Sequence, residues 1–181
     1  MRYLESDRLL IRPVQVEDIE KLLQIRWDST VMEYSLHEPI SLQQQIKWFE
    51  NIPGNDLPMS IFIKDSDDLK LIGTIGLYNI SRLHQRATLR IRLCQEVLGK
   101  GYGYKSMKML LDYAFKTLNL RKITSDCFSD NTSTIKIKTK LGFVREGLLR
   151  EHYYQNGQFK NADIYGLLKE DFYNAVNDLK K

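Results

Sequence analysis

The sequence predicts an α+β (mixed α/β) fold in which short strands and amphipathic helices alternate along the chain. Two observations carry this. Three alternating, β-branched segments between residues 60 and 94 are bounded by turn formers, and a strand–glycine loop–helix–strand order follows, centred on residues 98–103. With 181 residues, 43% hydrophobic and 28% charged, one domain spanning 1–181 accounts for the length.

Leu9 to Arg12 reads as a first strand closed by Pro13. Val16 to Trp27 places Ile19, Leu22, Leu23 and Ile25 at near-helical spacing. Ser41 with Gln44 matches a capping box, opening a helix through Ile46, Trp48 and Phe49 that Pro53, Gly54, Asn55 and Pro58 end. Ser60 to Lys64 alternates and breaks at the turn-forming Asp65-Ser66-Asp67-Asp68, and Leu71 to Ile80 is β-branched and carries Gly73 and Gly76. Thr88 to Cys94 sets Leu89, Ile91 and Leu93 against Arg90 and Arg92, which predicts one buried and one basic face. The three segments are expected to form an antiparallel meander. After the loop, Met107, Leu110, Leu111, Ala114, Phe115 and Leu118 share one side of a long helix. Ile123 to Phe128 is a strand, and Asn131 to Lys140 a helix that Gly142 stops. Asn156-Gly157, between Tyr153-Tyr154 and Phe159, marks a hairpin.

The net charge of +4 is unevenly spread. Residues 82–145 hold 14 Lys/Arg against 4 Asp/Glu, and the rest of the chain 13 against 19. A basic middle in an acidic frame suggests a bound anion or a solvated basic face, and the excess is too small to favour nucleic acid. No apolar run approaches the roughly 20 residues of a membrane span, and Met1 to Arg12 lacks a signal-peptide core, so a cytoplasmic protein off the membrane is expected. Cys94 and Cys127 have no metal-ligand spacing and read as buried thiols; with His37, His84 and His152 scattered, no metal site is expected.

The loop Leu98-Gly99-Lys100-Gly101-Tyr102-Gly103 carries the chemistry. A helix start exposes unpaired N–H groups and the positive end of its dipole, and glycines let a phosphate approach the backbone. The spacing matches neither a P-loop nor a Rossmann loop, and a plain tight turn is the alternative. Together with Ser129-Asp130-Asn131 and Lys140-Leu141-Gly142-Phe143, the loop and its helix resemble the GNAT superfamily of N-acetyltransferases. Glu5 to Pro13, Glu146 to Arg150, Asn156-Gly157 and Asp163 are similar to its branch of ribosomal-protein, polyamine and amino-sugar acetyltransferases.

The resemblance implies a three-layer fold: a central, mostly antiparallel twisted sheet, one splayed parallel strand pair and flanking helices. It implies acetyl transfer from acetyl-CoA to a primary amine on a peptide N-terminus, polyamine or amino sugar, by direct attack in a ternary complex. The backbones of Leu98, Gly99, Lys100, Gly101, Tyr102 and Gly103, with the charges of Lys100 and Lys105, would hold the diphosphate, and Leu98 keeps its N–H where relatives carry a larger side chain. A main-chain donor among Leu93, Cys94 and Gln95 would face the thioester oxygen, and Asn131 would touch the pantetheine arm. The family's tyrosine acid aligns with Lys138, which either serves the thiolate or is a solvent-facing helix lysine. A strand carboxylate aligns near Thr88 and is missing, leaving His37 or a relayed water as the candidate base, with Glu33, Tyr34 and Glu38 on the acceptor side. Cys94 is a further catalytic candidate, as an acyl carrier. The C-terminal hairpin is a candidate homodimer surface. A non-catalytic CoA-binding module is the competing class.

Overall fold

The computed structural model describes residues 4–28, 40–65 and 68–178. Eight strands build one sheet in the order β1-β2-β3-β4-β5-β6-β8-β7. They are β1 (Leu4–Glu5), β2 (Leu9–Pro13), β3 (Leu57–Asp65), β4 (Asp68–Ser81), β5 (Arg86–Leu93), β6 (Lys122–Phe128), β7 (Val144–Gln155) and β8 (Gln158–Leu168). The helices among the described residues are α1 (Ile19–Arg26), α2 (Leu42–Glu50), α3 (Tyr102–Lys116), α4 (Thr132–Lys140) and α5 (Lys169–Asp178). Every strand pair is antiparallel except β5 with β6.

Local chemistry explains the element ends. Ser41 Oγ accepts the Gln44 amide at 3.2 Å while Gln44 Oε1 accepts the Ser41 amide at 2.8 Å, so the expected capping box starts α2. The helix expected from Val16 opens instead as a 3-10 turn over Val16–Asp18 and becomes α-helical at Ile19. Asn156 (φ 50°) and Gly157 (φ 81°) both take left-handed backbone, the requirement of a two-residue turn that matches strand twist, and Gln155 pairs with Gln158 across it.

Two helical layers cover the sheet. On one face, α3, α4 and α5 interlock: Phe115 and Phe172 place their rings 5.5 Å apart, and Gly103 of α3 leaves just enough room for Ile137 of α4. Beneath them Met59, Ile61, Ile75, Leu77 and Leu89 are almost fully buried, with Met107, Leu110, Leu111 and Phe115 above. Burying each such side chain contributes about 1.5–3 kcal/mol. On the other face α1 packs on α2 and β4, with Val14, Ile19 and Leu22 against Ile46 and Phe49.

The feature that positions the site is the joint between the two halves of the sheet. β5 and β6 pair in parallel only over Arg86–Thr88 and Lys122–Thr124. Beyond Thr88 and Thr124 the strands part, although β5 runs on to Leu93 and β6 to Phe128. The sheet therefore opens at its centre, with the N-terminus of α3 beside the far end of β5.

Candidate active site

The main-chain groups along this gap follow from the ladder. The Cys94 amide bonds the Ile72 carbonyl at 2.8 Å, which makes Leu93 and Gly73 a non-hydrogen-bonded pair. The Leu93 N–H therefore points away from β4, into the gap, as does that of Ile91 two residues earlier. Of the three donors proposed for a thioester oxygen, Cys94 is already spent on β4, and Leu93 has the free direction.

At the neck of the gap, Gly99 (φ 74°) and Gly101 (φ 82°) turn the chain into α3 through left-handed backbone, with open space around both. The first intrahelical bond runs from the Lys105 amide to the Gly101 carbonyl at 3.1 Å, so the amides of Tyr102, Gly103 and Tyr104 precede the ladder. The amides of Leu98 and Lys100 instead close turns onto the Gln95 and Val97 carbonyls. Of the amides expected to form the cradle, those of Leu98 and Lys100 are thus engaged within the loop itself. The Leu98 side chain is exposed, as are Lys100, Lys105 and Gln95.

On the opposite bank stands Lys138, which is not solvent-facing: it is 1% exposed and donates from Nζ to the Asp126 carbonyl at 2.9 Å. Strand alternation turns that carbonyl toward β5, so the lysine head reaches the gap from the α4 side. Its ammonium also lies 4.9 Å from the Tyr165 ring centre. Burial lowers its pKa, opposed by the Cys127 thiol and by Asp126 and Asp163. The Cys127 thiol is itself pushed up by burial, as is that of Cys94, so both are neutral at pH 7. Cys94 as an acyl carrier would therefore first have to give up a proton that burial holds on its thiol. Asn131 caps α4, accepting the Thr134 amide on Oδ1 at 3.0 Å.

The other rim of the gap, on the α1–α2 face, is polar. Thr88 and Thr124 touch across the joint with hydroxyls 3.3 Å apart. The Asp126 carboxylate takes the Tyr153 hydroxyl, and Phe128 stacks on Tyr153 with centroids 4.7 Å apart. The bulged stretch of β7 next to it frames an open hollow of about 650 Å³ between Leu148–His152 and Asn161. On β5 stand Arg90, whose charge acts on the Tyr153 hydroxyl, and Arg92, with Arg26 of α1 near it. Sequence reasoning missed these arginines as a site; their signal was the basic alternation of β5. Candidates Glu33, Tyr34, His37 and Glu38 lie outside the described residues. Among the described residues no cluster of His, Cys, Asp or Glu could hold a metal, and no helix is long and apolar enough to cross a membrane.

Comparison with known proteins converges on one group. A family model described as an acetyltransferase (GNAT) domain matches residues 8–144. An uncharacterized N-acetyltransferase of Bacillus licheniformis is 31% identical over 95% of this chain and 99% of its own. The spermidine N(1)-acetyltransferase of Escherichia coli is 32% identical over 84% of this chain and 81% of its own. Among solved structures, spermidine N-acetyltransferase from Vibrio cholerae in complex with CoA and spermine superposes with a TM-score of 0.84 at 25% identity, covering 93% of this chain and 100% of that one.

Proposed function

Because the chain belongs to the GNAT acetyltransferase family, we propose that residues 1–181 work as one domain that moves an acetyl group from acetyl-CoA to a primary amine, by direct attack in a ternary complex. The observation that carries this reading is the central gap, with the Leu93 amide aimed into it and the unladdered amides of Tyr102, Gly103 and Tyr104 at its neck. That donor set suits a long, anionic carrier that lies between two strands and ends in a carbonyl. Acetyl-CoA supplies the acyl group as a thioester already activated for aminolysis.

The chain's own residues then have distinct tasks. The first turn of α3, with Lys100 and Lys105 nearby, binds the diphosphate through N–H groups and the positive helix end. Charge-assisted bonds of this kind contribute roughly 1.5–3 kcal/mol each. Asn131 uses its side-chain oxygen as a cap and keeps its NH2 for the arm. Leu93 N–H polarises the acyl oxygen, a role worth about 2.7–4 kcal/mol for one well-placed donor. Lys138 holds a proton where the thiolate departs. His37, or a water in its place, takes the proton of the attacking amine, with Glu33, Tyr34 and Glu38 forming the acceptor wall. The relatives named for spermidine make a polyamine the reference acceptor, beside peptide N-termini and amino sugars. The hairpin of β7 and β8 is the surface proposed for a homodimer, and the compartment proposed is the cytoplasm.

Calorimetric titration with CoA and an amine panel read by mass spectrometry test the reading. Wild-type protein should bind CoA, and Gly101→Asp with Gly103→Asp should weaken binding at least tenfold, because a carboxylate at the helix start repels phosphate and Gly101 needs left-handed backbone. Unchanged affinity would take the loop out of the site. The replacement of the family's tyrosine by Lys138 favours one rival, a CoA-binding module without catalysis. Tight CoA binding with no acetylated product from any amine would select it.

A further inference from the structure

The polar face of β5 carries Arg86, Thr88, Arg90 and Arg92. Thr88 closes the joint with β6, so Arg90 and Arg92 are the residues that stand beyond it, where β6 has turned away. They lie on the α1–α2 face of the sheet. The diphosphate cradle is on the other side of the strand: a Cβ at Gly103 would meet Leu93, the neighbour of Arg92 whose side chain points the opposite way. These arginines are therefore not placed to hold the carrier.

Their setting is unusual for guanidinium groups. Arg90 lies 5.3 Å from the centre of the Tyr78 ring. Arg92 is half-buried, with Thr74 opposite it in the ladder and Arg26 of α1 nearby. No carboxylate among the described residues comes within ion-pair distance of Arg92. Burial first and the Arg26 charge second pull its pKa down to about 10, so it is still protonated at neutral pH. A partly desolvated guanidinium with no carboxylate beside it is unfavourable alone and gains most from an anion, which its planar donor fork grips in bidentate fashion.

We propose that the acceptor amine carries its own carboxylate or phosphate, and that Arg92, assisted by Arg90, receives this group on the acceptor side of the gap. This rests on the acetyl-transfer reading and narrows its substrate class. These arginines repel a polycation such as spermidine, so of the acceptor types named above they favour an acidic peptide N-terminus or a phosphorylated amino sugar over a polyamine.

Matched amines decide it, with product measured by mass spectrometry at saturating acetyl-CoA: glucosamine 6-phosphate against glucosamine, glutamate against its diamide, and spermidine. At least one anionic amine should exceed its neutral counterpart tenfold or more in kcat/KM. Arg92→Gln should shrink that preference to within twofold with the Kd for CoA unchanged, and Arg92→Lys should keep part of it. Spermidine or the neutral amines used equally well, or a preference that survives Arg92→Gln, overturns the proposal. If CoA binds and no amine is acetylated, the transfer reading fails and binding alone judges the arginines. Glucosamine 6-phosphate should then raise the Tm of the CoA-saturated wild type more than glucosamine does, and lose that margin in Arg92→Gln. An equal shift in both proteins rejects the anion site.

Discussion

Lys138 keeps an ammonium group inside the α3–α5 layer on one carbonyl and one aromatic face. Desolvation dominates its environment, so the folded protein holds this proton less firmly than the unfolded chain does. Between the lowered folded pKa and the ordinary 10.5, the unfolded state binds more protons, and stability from this group rises with pH. The contribution is complete above 10.5 and is lost as pH falls through the folded value. Lys138→Met, which keeps the length and removes the charge, should therefore have a higher Tm than wild type at pH 7, and calorimetry up to pH 10.5 should see the margin shrink. A constant margin would mean that the lysine is not titrating. The same variant should lower kcat at least tenfold with little change in CoA affinity if the proton serves the departing thiolate. Nothing in the string Lys136-Ile137-Lys138 distinguishes this lysine from its neighbours. Its burial depends on Asp126 and Tyr165, which the chain brings together only through the β6–β8 ladder.

The elements that could be read directly are those specified by adjacent residues: the Ser41–Gln44 cap, the Asn156-Gly157 turn and the buried-and-basic alternation of β5. The ones that could not are set by distant pairing. Asp18 is an example, because Val16 to Trp27 reads as one helix. In the structure Asp18 accepts both Arg12 guanidinium nitrogens at 2.7 and 2.8 Å, the Ser60 hydroxyl at 2.7 Å and the Gln15 amide at 3.0 Å. These bonds draw the first turn into a 3-10 form and pin α1 to β2 and β3. Asp18 is 4% exposed and the Arg12 side chain 14%, so removing the carboxylate leaves a mostly enclosed guanidinium without its ion-pair partner. Asp18→Ala should cost about 3–5 kcal/mol in denaturant unfolding. Arg12→Met with Asp18→Leu should cost less than the sum of the single changes, because no lone charge remains. Additive losses would show that the two groups act separately.

At the scale of the molecule, one sheet runs from β1 to β7, and α3 bridges the joint between its halves. If 1–181 is one domain, heat should unfold it in a single step. Trp27 and Trp48 lie in or beside the α1–α2 layer, so their fluorescence reports one side of the molecule while far-UV circular dichroism reports all of it. The two midpoints should coincide, and two separate transitions would divide the chain. The parting of β5 from β6 left no mark in the sequence, since parallel strands 36 positions apart in register carry no local signal of where pairing ends. The family resemblance supplied it instead.

Among the described residues, three register pairs join β5 to β6 where the two wings of the sheet meet. Whatever lodges in the slit past Thr88 would act as a splint, restoring across the seam the cross-links that the strands forgo. On the proposed chemistry, the enzyme would then be stiffest while loaded and would slacken along this seam each time spent carrier departs, so that letting go of one guest prepares the opening for the next.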